Sequence, residues 1–111
     1  MNPNKFQITL LTENRLVNHF IKEAIDPDYA ILEEITTGKQ NWLEDLSNNP
    51  PDLLIIRRTL IHEDGMEVAK RISRNPTFSS TKILLLAMDK KVGEDAIANG
   101  AKGFLTIPFS R

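Results

Sequence analysis

Two stretches of this 111-residue chain are aliphatic without interruption, LLII at 53–56 and ILLL inside 82–87, and they limit its fold more than any other feature. A strand with one wet face alternates apolar and polar residues. A run with no polar position must be covered on both faces, as central strands of a parallel sheet are. Parallel neighbours need long crossover connections, usually helices, and helical periodicity lies between the strand-like runs. Residues 6–12 are mostly aliphatic and β-prone, bounded by Pro3-Asn4 and by Glu13-Asn14-Arg15. Leu16, Val17, Phe20, Ile21, Ala24 and Ile25 then recur on one helical face, with Asn18, His19, Lys22 and Glu23 opposite, until Asp26-Pro27 stops the helix. Residues 29–35 read as an edge strand, because Glu33 and Glu34 sit beside its apolar positions. Thr36-Thr37-Gly38 turns the chain, and Trp42, Leu43 and Leu46 mark a short amphipathic helix ended by the polar run into Pro50-Pro51.

The second half repeats the alternation. Asp64 is placed to cap a helix over 65–74 that buries Met66, Val68, Ala69 and Ile72. Residues 92–99 suggest a small helix ending at Gly100, and 103–107 a last strand before Pro108. Strand then helix, four times over, closed by a fifth strand, predicts one α/β domain over 1–111. Its sheet is doubly wound and parallel, with right-handed crossovers. Ligands of such sheets sit beyond the carboxyl ends of the strands, here contributed by Thr12-Glu13, Arg57-Arg58, Ala87-Met88 and Thr106-Ile107.

Fourteen Lys and Arg against fifteen Asp and Glu give a net charge of -1, so no global field draws this chain alone to nucleic acid. The absence of cysteine removes disulfides, thiolate metal sites and cysteine nucleophiles together, and suits a reducing compartment. The apolar run near the N-terminus is too short for a signal peptide, and no segment is long and apolar enough to span a bilayer. The expected location is cytoplasmic, with no membrane partner. Phosphate-binding Gly-rich loops, nucleophile elbows and Ser-His-Asp constellations are missing, and nothing calls for a cofactor, a metal or enzymatic activity.

Four blocks carry a resemblance to a known family: ITLLTEN, PDLLIIRRTLIHEDGMEVAKRI, KILLLAM and GAKGFLTIPF. In content and spacing they resemble the first strand with its acidic turn, the phosphorylation strand and its helix, the fourth strand, and the closing signature of bacterial response-regulator receiver domains. The resemblance implies the flavodoxin-like fold with strand order 2-1-3-4-5. In that family an acidic pair after the first strand binds magnesium together with the aspartate that accepts phosphate. A Thr or Ser after the fourth strand and a Lys before the last Pro contact the phosphoryl group. Carried onto this chain, the pair becomes Thr12-Glu13, the acceptor becomes Arg57, the hydroxyl residue Ala87 and the lysine Ile107. A guanidinium forms no acyl phosphate, Ala87 has no hydroxyl, Ile107 has no charge, and a lone Glu13 beside a cation is a poor magnesium ligand. The expectation is a pseudo-receiver with a degenerate phosphorylation site. Arg57 either extends into the former metal position and pairs with Glu13 or points into solvent from its strand end.

The resemblance also implies an interaction surface around Val92, Ala96, Ile97 and Phe104, and a cis Ile107-Pro108 bond. Family members continue into a fifth helix where this sequence stops at Phe109-Ser110-Arg111. The sheet face beside the first helix is therefore expected to lack part of its cover and to mark a homodimer or a partner. Two functions follow. The leading one is a signalling or transcription-regulatory module of the two-component type that works by protein-protein contact without phosphorylation. The alternative is a small-molecule sensor whose pocket is lined by Thr12, Glu13, Arg57, Ala87 and Ile107. Other features read as structure: His62-Glu63-Asp64 as loop residues with Asp64 a cap, His19 as a surface histidine, Arg57, Arg58, Arg71 and Arg74 as separate surface charges, and Trp42 and Phe78 as packing residues.

Overall fold

The computed structural model describes residues 5–87 and 103–106. In chain order the elements are β1 (Phe6–Leu11), α1 (Arg15–Ala24), β2 (Ala30–Glu34), α2 (Trp42–Asn48), β3 (Leu53–Arg57), α3 (Gly65–Ser73), a 3-10 turn (Pro76–Phe78), β4 (Lys82–Ala87) and β5 (Gly103–Thr106). All strand pairs are parallel and the order is β2-β1-β3-β4-β5. The expected doubly wound sheet and its strand order are both present. The two uninterrupted aliphatic runs are β3 and β4, side by side in the sheet's interior. The glutamate-bearing strand is β2, at one edge, where charge opposes edge-to-edge pairing.

The sheet separates two cores. On one face Leu11, Leu54, Ile56 and Leu85 pack with Trp42 and Leu46 of α2, with Val68, Ala69 and Ile72 of α3, and with Phe78 of the 3-10 turn. Trp42 and Phe78 are packing residues, as read from the sequence. On the other face Ile8, Leu10, Ile55 and Leu86 meet Val17, with Ile21 and Ile25 partly buried against them.

Here α1 departs from the simple amphipathic reading. Val17, Ile21 and Ile25, spaced by four, lie against the sheet, whereas Leu16 and Phe20 are 58% and 55% exposed. Asn18, expected on the wet face, is buried. The Thr12 hydroxyl accounts for it, donating to Asn18 Oδ1 at 2.5 Å and so satisfying the amide inside the fold. Asn14 caps the helix by accepting from Val17 N–H at 3.0 Å.

The amino ends of the strands are held in register by polar groups. Asp52 Oδ2 accepts from Gln7 N–H at 2.7 Å, and the Asp52 N–H donates to the Gln7 carbonyl at 2.9 Å. The buried Thr81 hydroxyl donates to the Pro51 carbonyl at 2.6 Å. No helix among the described residues is long and apolar enough to cross a membrane.

Candidate functional site

The carboxyl ends of β1 and β3 carry the residues singled out from the sequence, and their loops converge above the sheet. Thr12 follows β1 but is fully buried, its hydroxyl turned under the chain to Asn18 and accepting from Asn14 N–H at 3.3 Å. It braces the start of α1, because a buried hydroxyl goes to an acceptor inside the fold.

Glu13 has a φ of 56°, in the left-handed region that side chains other than Gly, Asn and Asp seldom adopt. That backbone turn aims the carboxylate across two neighbouring loops. From the β2–α2 loop, Thr36 Oγ1, Thr37 N–H and Thr37 Oγ1 all donate to Oε2, at 2.8, 2.6 and 2.7 Å. From the β3–α3 loop, Ile61 N–H donates to Oε1 at 2.6 Å. Partial burial raises the proton affinity of this carboxyl. The bonds from Ile61 N–H, the Thr37 and Thr36 hydroxyls and Thr37 N–H outweigh that effect and hold its pKa below the ordinary carboxylate value. Glu13 is ionised at neutral pH, with both oxygens facing donors.

Arg57 ends β3, in register with Leu86 of β4. Its guanidinium does not pair with Glu13. Nη1 donates instead to the Thr59 carbonyl at 3.3 Å. Of the two alternatives the pairing is not seen: the Glu13 carboxylate faces four backbone and hydroxyl donors from the two neighbouring loops instead. The rest of the β3–α3 loop closes on itself. Thr59 and Asp64 form an antiparallel bridge, and Gly65 N–H donates to the Arg58 carbonyl at 2.9 Å. Arg58 Nη1 lies 3.5 Å from Asp64 Oδ1, and the buried Arg58 Nε has no hydrogen-bond partner among the described residues. Residues Arg58 to Asp64 line an open depression of about 440 Å³.

Asp64 caps α3 as anticipated, accepting from Met66 N–H at 2.8 Å, while Glu63 turns away to Arg71 at 2.9 Å. Neighbours in sequence, these two carboxylates serve different partners. Gly65 is required where it stands. A Cβ there would fall 2.1 Å from the Arg57 carbonyl oxygen, so only glycine lets α3 begin this close to the end of β3.

The remaining expected site residues are only partly described. Ala87 closes β4 opposite Thr106, and Phe104 pairs with Leu85 through the backbone. The side chains of Ala87, Phe104 and Thr106, and Val92, Ala96, Ile97, Ile107 and the Ile107-Pro108 bond, lie outside the described residues. Sequence reasoning missed Thr36, Thr37 and Ile61 as partners of Glu13. The adjacent hydroxyls Thr36-Thr37 beside a glycine were the one available signal, since a backbone N–H such as that of Ile61 leaves none.

Magnesium, which the fold's receivers suggest, does not fit the described residues. The ion wants about six oxygen ligands in near-octahedral geometry. Here the carboxylate at the strand ends is turned to four N–H and O–H donors, and the next side chain is a cation.

No protein-family model matches the sequence, and no curated protein matches it. Solved structures do. One from Chloroflexus aurantiacus, assigned as a response regulator, superposes with a TM-score of 0.83 at 21% identity over 96% of this chain and 88% of its own. The chemotaxis response regulator CheY4 of Vibrio cholerae gives 0.80 at 18% identity, over 96% and 89%. A CheY-like receiver domain from Methylobacillus flagellatus gives 0.77 at 15%, over the same shares. At these identities the likeness is one of fold.

Proposed function

We propose that this chain, which has the receiver-domain fold, is a cytoplasmic signalling module that acts by protein-protein contact without being phosphorylated. The observation that carries this reading is the end of β3. A guanidinium stands there, tied to the Thr59 carbonyl, in place of a carboxylate able to form an acyl phosphate. The Glu13 carboxylate adds to it, because it is turned to four N–H and O–H donors of the neighbouring loops. With phosphate chemistry gone, what the fold still offers a pathway is a surface, and the module's partner is a protein. The segment around Val92, Ala96, Ile97 and Phe104 is the proposed contact region for that partner, and the sheet face beside α1 is the proposed place for a second copy of the chain.

The test incubates the purified chain with acetyl phosphate and magnesium and reads intact mass under native conditions. The expected spectrum has no phosphoryl increment, and the dimer fraction is the same with and without acetyl phosphate. A covalent phosphoryl increment on this chain would overturn the proposal.

A further inference from the structure

If phosphate chemistry is absent, as proposed, something other than a bound metal and phosphoryl group must keep the loops at the strand ends in place. We infer that Glu13 is a built-in strut, whose carboxylate holds the β2–α2 and β3–α3 loops in one fixed arrangement that does not depend on a divalent cation.

The geometry is non-local. Thr36 and Thr37 are 23 and 24 residues from Glu13 in sequence and Ile61 is 48, yet all three reach one carboxylate at 2.6–2.8 Å. Two of the four donors are backbone N–H groups, which no rotamer change can withdraw. Bonds of this kind, from N–H or O–H to an ionised carboxylate, are about twice as strong as neutral ones. The strut also carries a cost that identifies it as more than incidental. A non-glycine residue at positive φ is disfavoured by roughly 1–3 kcal/mol and persists only where its surroundings over-determine it. At Glu13 the surroundings are the four donors.

What the strut fixes is a unit. The β3–α3 loop is closed by the Thr59–Asp64 bridge, the Gly65 N–H bond to Arg58 and the Arg57 bond to Thr59. A single attachment at Ile61 therefore positions the whole loop, including the Ile61 side chain, which is 71% exposed. A cation seeking the same carboxylate meets four N–H and O–H donors already bonded to it. The face above the strand ends is preset and has no cation-dependent second state. Glu13 acts through these loops and is a positioning residue.

Amide hydrogen exchange on the full chain, read residue by residue by NMR in EDTA and in excess magnesium chloride, tests the inference. In the native sequence the Thr37 and Ile61 amides are expected to be protected, with rates and chemical shifts unchanged by magnesium. In Glu13→Gln one half of the side chain becomes an N–H donor facing donors, and both amides are expected to exchange about tenfold faster or more. Core amides such as Leu54 and Leu85 slow or quicken only with global stability. Glu63→Gln, which alters a carboxylate on the same loop bonded to Arg71, leaves Thr37 and Ile61 protected. Free-chain exchange of Ile61 in the native protein would overturn the strut. So would magnesium-dependent shifts at Thr37 and Ile61, a result that needs no variant to fold. Either can occur without any phosphoryl increment in the mass spectrum, so failure of the strut is distinguishable from failure of the phosphorylation-independent reading.

Discussion

Replacing Gly65 with alanine adds one methyl group where α3 begins against the end of β3. An ideal Cβ there sits 2.1 Å from the Arg57 carbonyl oxygen, 2.9 Å from its carbonyl carbon and 3.0 Å from Arg58 Cα. Ordinary contact begins near 3.4 Å, so the start of α3 and the end of β3 must separate by about 1.3 Å. Neither side gives easily. Both are main chain, Arg58 N–H is bonded to the Leu86 carbonyl at 3.1 Å, and Val68 N–H is bonded to the Asp64 carbonyl at 3.0 Å. The movement would take the 2.9 Å Gly65–Arg58 hydrogen bond out of range, a loss of about 0.5–1.5 kcal/mol. Overpacking adds about 1–3 kcal/mol. Alanine recovers about 0.4–1 kcal/mol through helix propensity and a less disordered unfolded chain. The net expectation is a destabilisation of about 2 kcal/mol, within a range of about 0.5–4. For a domain of this size that lowers the melting temperature by roughly 10 °C. Urea unfolding followed through Trp42, the single tryptophan and a buried one, is the assay. Glu67→Ala, at an exposed position of the same helix, is the control expected to stay within about 0.5 kcal/mol. If Gly65→Ala matched or exceeded the native stability while the control behaved, the close approach of α3 to β3 would be wrong.

Other substitutions probe the rest of the site. Asp64→Ala removes the cap on Met66 N–H and is expected to cost about 1 kcal/mol in urea, with Asp64→Asn recovering most of it; equal losses in both would discredit the cap. The Glu13 pKa is lowered in the fold, so its stabilisation is present above the unfolded value of about 4.3 and is lost as pH falls through the folded value. The urea midpoint gap between the native chain and Glu13→Gln should therefore be constant near neutrality and close in acid below about pH 4; a gap that persisted unchanged into acid would contradict the sign. Arg57→Asp restores a carboxylate at the end of β3 but leaves Glu13 bonded and Thr12 buried. It is expected to show no phosphoryl mass increment with acetyl phosphate and magnesium, and a stoichiometric increment would show that Arg57 alone had blocked the chemistry.

What was legible in the sequence is what local physics determines. Unbroken aliphatic runs gave β3 and β4 because burial on both faces leaves no polar position. Asp64-Gly65 announced α3 because a cap and a required glycine both act within a few residues. The failures lie where long-range partners decide. Asn18 looked wet because its helix period pairs it with Lys22, yet the Thr12 hydroxyl makes a buried amide tolerable there. For Arg57 the residue types left two arrangements open, a pair with Glu13 or a side chain pointing into solvent, because local sequence does not fix where a strand-end guanidinium goes. Positive φ at Glu13 sends its carboxylate to backbone donors in two other loops, and neither that torsion nor a distant N–H has a residue-type signature.

The strand order has a consequence in time. β1 lies between β2 and β3, so its second neighbour is supplied only when residues 53–57 have been made, more than forty residues after β1 itself ends. At roughly 5–20 residues per second, a growing chain would hold the apolar edge of β1 unpaired for about 2–8 s beyond the time needed to synthesise it. Throughout that interval Ile8 and Leu10 have no strand to their inner side. The early β1–α1–β2 segment is thus the part of this molecule most exposed to wrong strand pairing during synthesis, and the acidic Glu33 and Glu34 on its other edge keep that side from becoming a second template.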